Sequence, residues 1–411
     1  MIVEYIKFGE LYEIPSCNGV SRPSAVRGQG FHMINMGELF SNDIINEMDM
    51  DRVKLSETEQ SKFFVKKNDL LFARQSLVAS GAGKCSIINN IKEPTTFESH
   101  LIRVRLKQSC NSWFYYYLFQ LPSNPVKTIV NQCAQAGIRG SELSKIKVPF
   151  PDLATQNKIA SILSAYDDLI EKNNRRMELL RGCAEELYKE WFVRFRFPNW
   201  QNTKFINGIP QGWGYGKIGD LCKIKNGFAF SSSDFLDKGD FGIIKIENVL
   251  FGDIQINKCQ YVSDIDENKL KSFRLHSNDI LIAMTGAQIG KTGRFPVVDK
   301  IFYLNQRVGK FIPNNPNIVN NHYLYQYTQT KSFITFIENY ANGAAQPNIS
   351  GKQIENIKIL IPTNKLLQEY ELRVDNILNS IQLLKNQNEL LKQQRDLLLP
   401  RLMSGKINVT P

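Results

Sequence analysis

The sequence has few of the residues from which proteins build metal centres and disulfide frameworks. Its seven cysteines lie far apart without a CxxC pair, and its four histidines are also scattered. This spacing shows no zinc site and no Ser/His or Cys/His catalytic arrangement. We interpret the cysteines as reduced and the histidines as structural, and we predict that the chain carries neither a metal ion nor a catalytic residue.

Long apolar runs are also missing. No run of apolar residues reaches the roughly 20 that a bilayer-spanning helix needs. The opening segment MIVEYIKFGELYE is too acidic and too poor in apolar residues for a signal peptide. We therefore expect a cytoplasmic protein.

Positive charge is what the chain has in excess. Its formal net charge is +11. The length of 411 residues, 42% of them apolar, is enough for two or three folded domains. Excess Lys and Arg neutralise phosphates and release counterions, so the charge favours a nucleic-acid partner. The alternative is a basic surface that serves solubility alone.

Two glycine-rich motifs suggest nucleotide binding, but both depart from the required pattern. In GAQIGKT, Gly286 and Gly290 are separated by three residues, whereas a phosphate loop has four before its Gly-Lys pair. The segment GYGKIG at 214–219 fits G-x-G-x-x-G, but it follows NGIPQGW instead of a buried strand and runs into a strand-like segment. A nucleotide-dependent enzyme is thus a weaker alternative.

The chain repeats itself at an interval of about 210 residues. FGELYEI at 8–14 recurs as IGDLCKI at 218–224, and NDLLFAR at 68–74 recurs as NDILIAM at 278–284. Gly83-Lys84 then falls opposite Gly290-Lys291, but Cys85 stands where a phosphate loop needs a hydroxyl group. We interpret the shared element as a scaffold of strand, glycine turn and strand.

Each copy has a globular part and a helical part. Short β-rich runs with Gly, Asn, Ser and Pro turns predict an irregular α+β domain, and a heptad pattern follows it. The predicted segments are a first domain at 1–152, a spacer helix at 153–195, a linker at 196–212, a second domain at 213–362, and a second spacer helix with a C-terminal tail at 363–411.

The two heptad seams have the same phase. The first consists of Ile159, Leu163, Tyr166, Ile170, Asn173, Met177, Leu180, Ala184, Leu187 and Trp191. The second consists of Tyr370, Val374, Ile377, Ile381, Leu384, Asn388, Leu391, Arg395, Leu398 and Leu402.

We predict that the two seams bury each other as an antiparallel coiled coil with pseudo-twofold symmetry. Asn173 and Asn388 would fix its register, and the regular helix should end near Leu399 because Pro400 cannot continue it. The alternative is two ordinary amphipathic helices, each lying on its own domain.

The sequence resembles the specificity (S) subunits of type I restriction-modification systems. The resemblance covers nearly the whole chain and rests on the order of segments such as LNQRVGKF at 304–311 and AAQPNISGKQIENIKILIP at 344–362, followed by the long helix. The first copy contributes FESHLIRVRL and GIRGSELSKIKVPFP, but it lacks the Ile-Pro-x-Gly-Trp segment that the second copy has at 209–213.

The resemblance implies two target recognition domains, each reading one half of a split, asymmetric target in double-stranded DNA. It implies partners: two methyltransferase subunits that carry S-adenosylmethionine and methylate adenine, and restriction subunits that use ATP and Mg²⁺. This chain itself would be non-catalytic and bind no cofactor. It contains no Asn/Asp-Pro-Pro-aromatic tetrad, which an adenine methyltransferase needs.

Base readout uses Arg or Lys for guanine and Asn or Gln for adenine, whereas Ser, Lys and Arg also hold phosphates. Side chains of these types near predicted turns are our candidate DNA contacts. In the first copy they are Arg22, Arg27, Arg74, Gln75 and Arg139. In the second copy they are Asn226, Ser231, Ser232, Gln288, Lys291, Gln346 and Asn348.

The aromatic run WFYYYLF at 113–119 could suggest base stacking. We predict a helical core instead, because Tyr116 falls opposite Tyr323 in the second copy, and an aromatic residue shared by both domains would not discriminate two sequences. Two other functions remain open: a coiled-coil scaffold with two protein-binding domains, and the specificity subunit of another restriction-modification type.

Overall fold

The computed structural model describes residues 4–76, 81–131, 136–315, 322–341 and 347–409. The chain folds into two compact units. Unit 1 comprises Met1–Lys172 with Asn388–Pro411, and unit 2 comprises Asn173–Gln387. Both boundaries between the units fall inside a long helix, so each unit contains part of both helices.

Unit 1 is an α+β domain. Its strands are β1 Tyr5–Lys7, β2 Tyr12–Asn18, β3 Phe31–Ile34, β4 Ile44–Asn46, β5 Asp51–Val53, β6 Leu70–Ala73, β7 Gln75–Ser76, β8 Cys85–Asn90, β9 Thr95–Phe97, β10 Leu101–Leu106, β11 Ala136–Gly137 and β12 Lys147–Pro149. Its helices are α1 Met36–Ser41, α2 Glu57–Phe63, α3 Ser112–Gln120, α4 Gly140–Leu143 and the start of α5 Leu153–Tyr188.

Unit 2 repeats this plan. Its strands are β13 Phe205–Ile206, β14 Ile209–Pro210, β15 Gly214–Lys217, β16 Cys222–Asn226, β17 Phe241–Ile244, β18 Val249–Leu250, β19 Asp253–Ile254, β20 Gln260–Val262, β21 Ile280–Ala283, β22 Thr292–Arg294, β23 Phe302–Leu304, β24 Val308–Pro313 and β25 Lys358–Ile361. Its helices are α6 Ile218–Leu221, α7 Glu267–Leu270, α8 His322–Thr328, α9 Lys331–Ala341, α10 Gly351–Glu355 and most of α11 Asn364–Met403.

The sheets of the two units have corresponding orders. The central sheet runs β2-β10-β6-β8-β4 in unit 1 and β16-β24-β21-β22 in unit 2. A smaller mixed sheet runs β5-β3-β9 in unit 1 and β20-β17-β23 in unit 2, and β1-β12 corresponds to β15-β25. The internal repeat predicted from the sequence is therefore confirmed as a repeat of topology.

Two short motifs explain why the repeat is visible in the sequence. Asn68 and Asn278 both adopt left-handed backbone conformations, with φ of 71° and 74°, which Asn tolerates better than most residues. Gly83 and Gly290 also have positive φ, 76° and 78°, and each donates its N–H at 2.8 Å to the alanine that ends the preceding strand. The strand, glycine turn and strand scaffold is confirmed.

The aromatic run of the first copy forms α3, and its side chains from Phe114 to Phe119 are buried. Tyr116 and its counterpart Tyr323 are 2% and 1% exposed. The prediction of a helical core is confirmed.

The two long helices run antiparallel to each other. In unit 1, Nδ2 of Asn388 donates to the carbonyl of Ile170 at 3.4 Å, and Leu399 and Leu402 share a core with Ile159. A rising residue number on one helix therefore meets a falling number on the other. The antiparallel coiled coil is confirmed for this unit.

Unit 2 contains the same antiparallel arrangement. Nδ2 of Asn173 donates to Oε1 of Gln387 at 3.1 Å, and the rings of Trp191 and Tyr370 lie 5.6 Å apart. Asn173 is 2% exposed, so its amide is a polar group inside an otherwise apolar seam. A buried amide that bonds the partner helix favours a single register, and this role of Asn173 stays a prediction.

The structure corrects two details of the helices. Pro400 lies inside α11, which continues to Met403 instead of ending near Leu399. Proline removes a single helical hydrogen bond so close to the end, and burial of Leu402 holds the last turn in the core of unit 1. At the predicted seam position Tyr166 the side chain is half-buried, and Asp167 occupies the buried position.

Burial also shifts by one residue at two positions of the second seam. Leu378 and Leu399 are 6% and 5% exposed, whereas their neighbours Ile377 and Leu398 are half-buried. An α-helix has 3.6 residues per turn, so a strict heptad seam drifts around it unless the helices supercoil.

In unit 2, a buried carboxylate joins the recognition domain to α11. Glu371 accepts the backbone N–H groups of His322 and Tyr323 at 3.0 and 2.9 Å, which caps α8. His322 lies 3.0 Å from Asp375, and the guanidinium group of Arg294 is buried nearby. Burial raises the pKa of Glu371 to about 7, and burial together with Arg294 lowers the pKa of His322 to about 4.

These two groups give unit 2 a specific pH dependence. Folded Glu371 holds its proton to about pH 7 and the unfolded carboxyl loses it near 4.5, so its contribution to stability falls as pH rises through that window. His322 contributes stability that is lost as pH falls from 6.5 to about 4, because the unfolded imidazole gains a proton first. The two slopes oppose each other in wild type.

We expect Glu371→Gln to remove only the first slope. The free energy of unfolding of the variant minus that of wild type should therefore increase from pH 5 to pH 7, measured by urea denaturation at each pH. Glu369→Gln, on the same helix and half-buried, is the matched control for the loss of a carboxyl group from α11. A pH-independent difference for Glu371→Gln would show that this carboxyl is already ionised at pH 5.

Candidate nucleic-acid interface

The central sheet of unit 1 has two different ends. At one end β2 finishes at Asn18, β6 finishes at Ala73 and β10 begins at Leu101, and the register aligns Asn18 with Ile102. We call this the loop end. The opposite end adjoins the start of α5, where the amide of Asn111 donates to Asn157 at 2.7 Å.

The loop end of unit 1 gathers three of the predicted residues. The backbone N–H of Arg74 donates to the carbonyl of His100 at 2.8 Å, and Arg74 accepts from Ile138 at 2.9 Å. Gln75 pairs with Gly137 in the β7–β11 ladder. Arg139, which is exposed, directly precedes α4 in the same segment. Segments that are distant in sequence thus bring Arg74, Gln75 and Arg139 together.

Unit 2 builds its loop end with the same hydrogen bonds. Met284 donates its N–H to the carbonyl of Arg307 at 3.0 Å and accepts from Ile349 at 3.0 Å. Thr285 pairs with Asn348, as Gln75 pairs with Gly137 in unit 1. The β16 strand ends there at Asn226, which is exposed.

The two loop ends share their backbone and differ in their side chains. Arg74 and Gln75 of unit 1 correspond to Met284 and Thr285 of unit 2, because both pairs follow the same alanine-ended strand. His100 and Arg307 occupy one position, since each carbonyl accepts the equivalent N–H. The same frame therefore carries different side chains in each domain.

Arg22 and Arg27 lie in the loop that follows β2, and both are half-buried in ion pairs. Arg22 binds Glu59 at 2.6 Å, and Arg27 binds Asp51 at 2.8 Å. Arg27 also donates to Oδ1 of Asn35 at 3.0 Å. These partners order the loop, so a contact of either arginine with phosphate would compete with a carboxylate.

The remaining candidates of unit 2 lie in loops around its loop end. Ser231 and Ser232 are exposed in the segment after β16. Gln288 ends a short 3-10 turn whose first residue, Gly286, donates to Pro347 at 3.1 Å, so this turn contacts the Asn348 segment. Lys291 is half-buried after that turn. Gln346 lies outside the described residues.

Three residues at the loop ends were missed from the sequence: Asn18, His100 and Arg307. The repeat carried the signal, because CNGV at 17–20 corresponds to KNGF at 225–228, and FESH at 97–100 corresponds to LNQR at 304–307. In both copies the last residue of the latter segment directly precedes a central strand.

The Gly-Lys-Thr segment of unit 2 is not shaped as a phosphate loop. It leads into strand β22, whereas a phosphate loop leads into a helix. Thr292 is fully buried, and its hydroxyl group lies 2.8 Å from that of Thr328, so it faces the domain interior.

The described part of the chain shows neither a metal-binding cluster nor a membrane span. Within the five described ranges, no three His, Cys, Asp or Glu side chains lie close enough to hold a metal ion. Among the helices that the structure describes, none is both long and apolar enough to cross a membrane.

Most of the chain matches one protein family. The model of the type I restriction modification DNA specificity domain matches residues 3–181 and 210–393, one match for each copy of the repeat. The chain belongs to this family. It is a specificity subunit of the type I restriction-modification kind.

Curated relatives agree in name and extent. The specificity subunit is 25% identical over 348 residues to the type I restriction enzyme MjaIX specificity subunit of Methanocaldococcus jannaschii, covering 82% of this chain and 79% of the relative. It is 21% identical over 445 residues to the HindI specificity subunit of Haemophilus influenzae, covering 91% and 94%. The crystal structure of the type I system S subunit from M. genitalium shares its fold, with a TM-score of 0.59, 15% identity and coverage of 98% and 96%.

Proposed function

We propose that each recognition domain of this specificity subunit reads one half of a split, asymmetric DNA target through its loop end. The observation that carries this proposal is the common frame with different side chains. Arg74 and Gln75 of unit 1 stand where unit 2 has Met284 and Thr285, and Asn348 of unit 2 stands where unit 1 has Gly137. Arg139 of unit 1 and Asn226 of unit 2 lie at the same loop ends. Because equivalent positions present different donors and acceptors, the two halves should differ in sequence.

The chemistry of these side chains fits DNA. Arginine can donate two parallel hydrogen bonds to guanine, and the amides of Asn and Gln can bond adenine in the same bidentate way. The net charge of +11 supplies the sequence-independent attraction to phosphates. The other candidate residues, Arg22, Arg27, Ser231, Ser232, Gln288, Lys291 and Gln346, remain proposed contacts to bases or phosphates.

We propose that the two spacer helices set the number of base pairs between the half-sites. This role requires a stiff connection from each domain to its helix. In unit 1, the hydroxyl group of Tyr117 on α3 donates to Asp167 on α5 at 2.6 Å. In unit 2, Glu371 on α11 caps α8 through two backbone N–H groups. Both contacts are buried, so they restrict how each domain can tilt on its helix.

The same helices carry the surface on which we propose that methyltransferase subunits bind. Leucines point into solvent at helical spacing on α11: Leu390 and Leu397 of unit 1 are 58% and 67% exposed, and Leu372 and Leu383 of unit 2 are 73% and 69% exposed. Apolar side chains that recur on the outer side of a helix commonly mark a protein interface. Each unit contains one pair of these leucines, so each unit would offer one binding surface to one of two methyltransferase subunits.

We expect the double substitution Leu390→Glu and Leu397→Glu to weaken binding of the methyltransferase subunit at least about 10-fold, because the complex would no longer bury two apolar side chains and would have to remove two carboxylates from water. The free energy of unfolding should change by less than about 0.5 kcal/mol, since both leucines are exposed and Glu is a good helix former. Calorimetric titration measures the affinity. Gln393→Glu, also exposed on α11, is the charge control; unchanged affinity in the leucine variant would place the interface elsewhere.

Cofactors and further partners follow from this assignment. We propose that S-adenosylmethionine binds the methyltransferase subunits, that ATP and Mg²⁺ bind restriction subunits, and that the complex assembles in the cytoplasm and methylates adenine. The test is a base-resolution map of methyladenine in the source genome with the gene intact, deleted and restored. A split motif that depends on the gene supports the proposal. Methylation that does not depend on the gene favours the protein scaffold.

A further inference from the structure

Arg307 is held at the loop end of unit 2 by its own backbone. It lies in a tight turn in which Val308 donates to the carbonyl of Asn305 at 2.9 Å. The neighbouring N–H of Gln306 donates to Phe228 at 2.9 Å, and the carbonyl of Arg307 accepts from Met284 at 3.0 Å. These bonds fix the Cα position of Arg307 while its side chain is exposed. A fixed backbone with an exposed side chain is the arrangement that base readout needs.

The second recognition domain has three arginines between residues 213 and 362, and they differ in environment. The guanidinium nitrogens of Arg294 are buried near the spacer helix, close to Glu371. The side chain of Arg274 is exposed, and its backbone carbonyl accepts a hydrogen bond from Nζ of Lys310 at 3.2 Å. Within the described residues, Arg307 is the arginine of this domain that stands at the loop end.

No carboxylate of the described residues lies within ion-pair distance of Arg307. It differs in this respect from Arg22 and Arg27, whose ion pairs would have to break before they bound DNA. In unit 1 the same position carries His100, which is exposed and whose carbonyl accepts from Arg74 at 2.8 Å. The two domains therefore place different side chains on one conserved turn.

We infer that Arg307 reads a guanine in the half-site of the second domain, and that His100 occupies the corresponding reading position of the first. The inference rests on the proposed function and assigns one specificity-determining residue to it. The planar guanidinium group donates to O6 and N7 of guanine, and the nearby amides of Asn226 and Asn348 suit adenine or phosphate oxygens. An imidazole group cannot make the same forked contact, so the two half-sites should differ at this position.

The experiment uses the whole specificity subunit co-expressed with its methyltransferase subunits. Methyladenine is mapped at base resolution for wild type, Arg307→Ala, Arg307→Lys and the control Arg274→Ala. We expect Arg307→Ala to lose about 10- to 100-fold of the discrimination at one guanine of one half-site, with the other half unchanged. Arg307→Lys should retain part of that preference, and Arg274→Ala should keep the wild-type motif.

The outcomes separate this inference from the proposed function. If Arg307→Ala lowers methylation equally at all sites, Arg307 holds a phosphate and the inference is overturned while the split motif stands. The inference is also overturned if Arg307→Ala changes neither the motif nor the fraction of sites that are methylated. If wild type shows no split motif, the proposed function itself fails. Thermal unfolding of each variant checks that the exposed substitutions leave the fold intact.

Discussion

Gly227→Ala is expected to destabilise unit 2 by at least about 3 kcal/mol, because the new methyl group has no space. A Cβ atom at Gly227 would lie 2.2 Å from the carbonyl oxygen of Leu304 and 2.3 Å from that of Asn305. Both atoms belong to backbone, which cannot move aside like a flexible side chain. The N–H of Phe228, the next residue, donates to the Leu304 carbonyl at 2.8 Å, so separation of the two segments would break that bond as well.

Urea denaturation of the variant measures this effect, and Gly214→Ala is its control in the same unit. An added Cβ at Gly214 meets nothing within 4 Å, so we expect a change within about 0.5 kcal/mol there. Gly19 is the corresponding residue of unit 1 and lies equally close to backbone: a Cβ atom there would be 1.9 Å from the carbonyl oxygen of Phe97. Equal stability of Gly227→Ala and Gly214→Ala would show that the β16 and β23 segments do not approach this closely.

Asp167→Ala is the second substitution with a large expected effect, about 3 kcal/mol of lost stability in unit 1. Asp167 is 8% exposed and accepts from the hydroxyl group of Tyr117 at 2.6 Å and from the guanidinium group of Arg395. Its removal leaves both donors without this acceptor. Arg395 keeps an ion pair with Asp396 at 2.9 Å, which places the expected loss at the lower end of the range for broken buried pairs.

The free energy of unfolding is measured for Asp167→Ala, Tyr117→Phe and the double variant. A coupling energy of about 1 kcal/mol or more between the two sites is expected, because each single substitution already removes their hydrogen bond. Asp168→Ala, the exposed neighbour on the same helix, should change stability by less than about 0.5 kcal/mol. Additive effects at Tyr117 and Asp167 would contradict the buried contact.

Much of the fold was accessible from the sequence because its causes are periodic or repeated. Asn68 and Asn278 recur because a left-handed turn is needed before the same strand in both copies. The heptad seams predicted that the two helices pack together, since a narrow apolar stripe is best buried by another one. The symmetry of the tandem repeat predicted that they are antiparallel. The predicted end of α11 was wrong because tertiary burial of Leu402 outweighs the effect of Pro400 in the last turn.

The candidate site was harder to predict because each loop end is assembled from separate segments. Arg74 and Gln75 lie near turns that the sequence shows and were predicted as contacts, whereas His100 and Arg307 at the same loop ends were not. Their position depends on hydrogen bonds that join the turn before one central strand to the turn after another. The sequence also gave no sign that Arg22 would have a carboxylate partner 37 residues away.

The central claim is that each recognition domain reads its own half of the target, and domain exchange tests it most directly. Residues 213–362 are replaced by the recognition domain of a related specificity subunit, the spacer helices are kept, and methyladenine is mapped at base resolution beside wild type. We predict a split motif in which one half changes while the other half and the gap are retained. A motif that stays the same, or changes in both halves at once, would contradict the account.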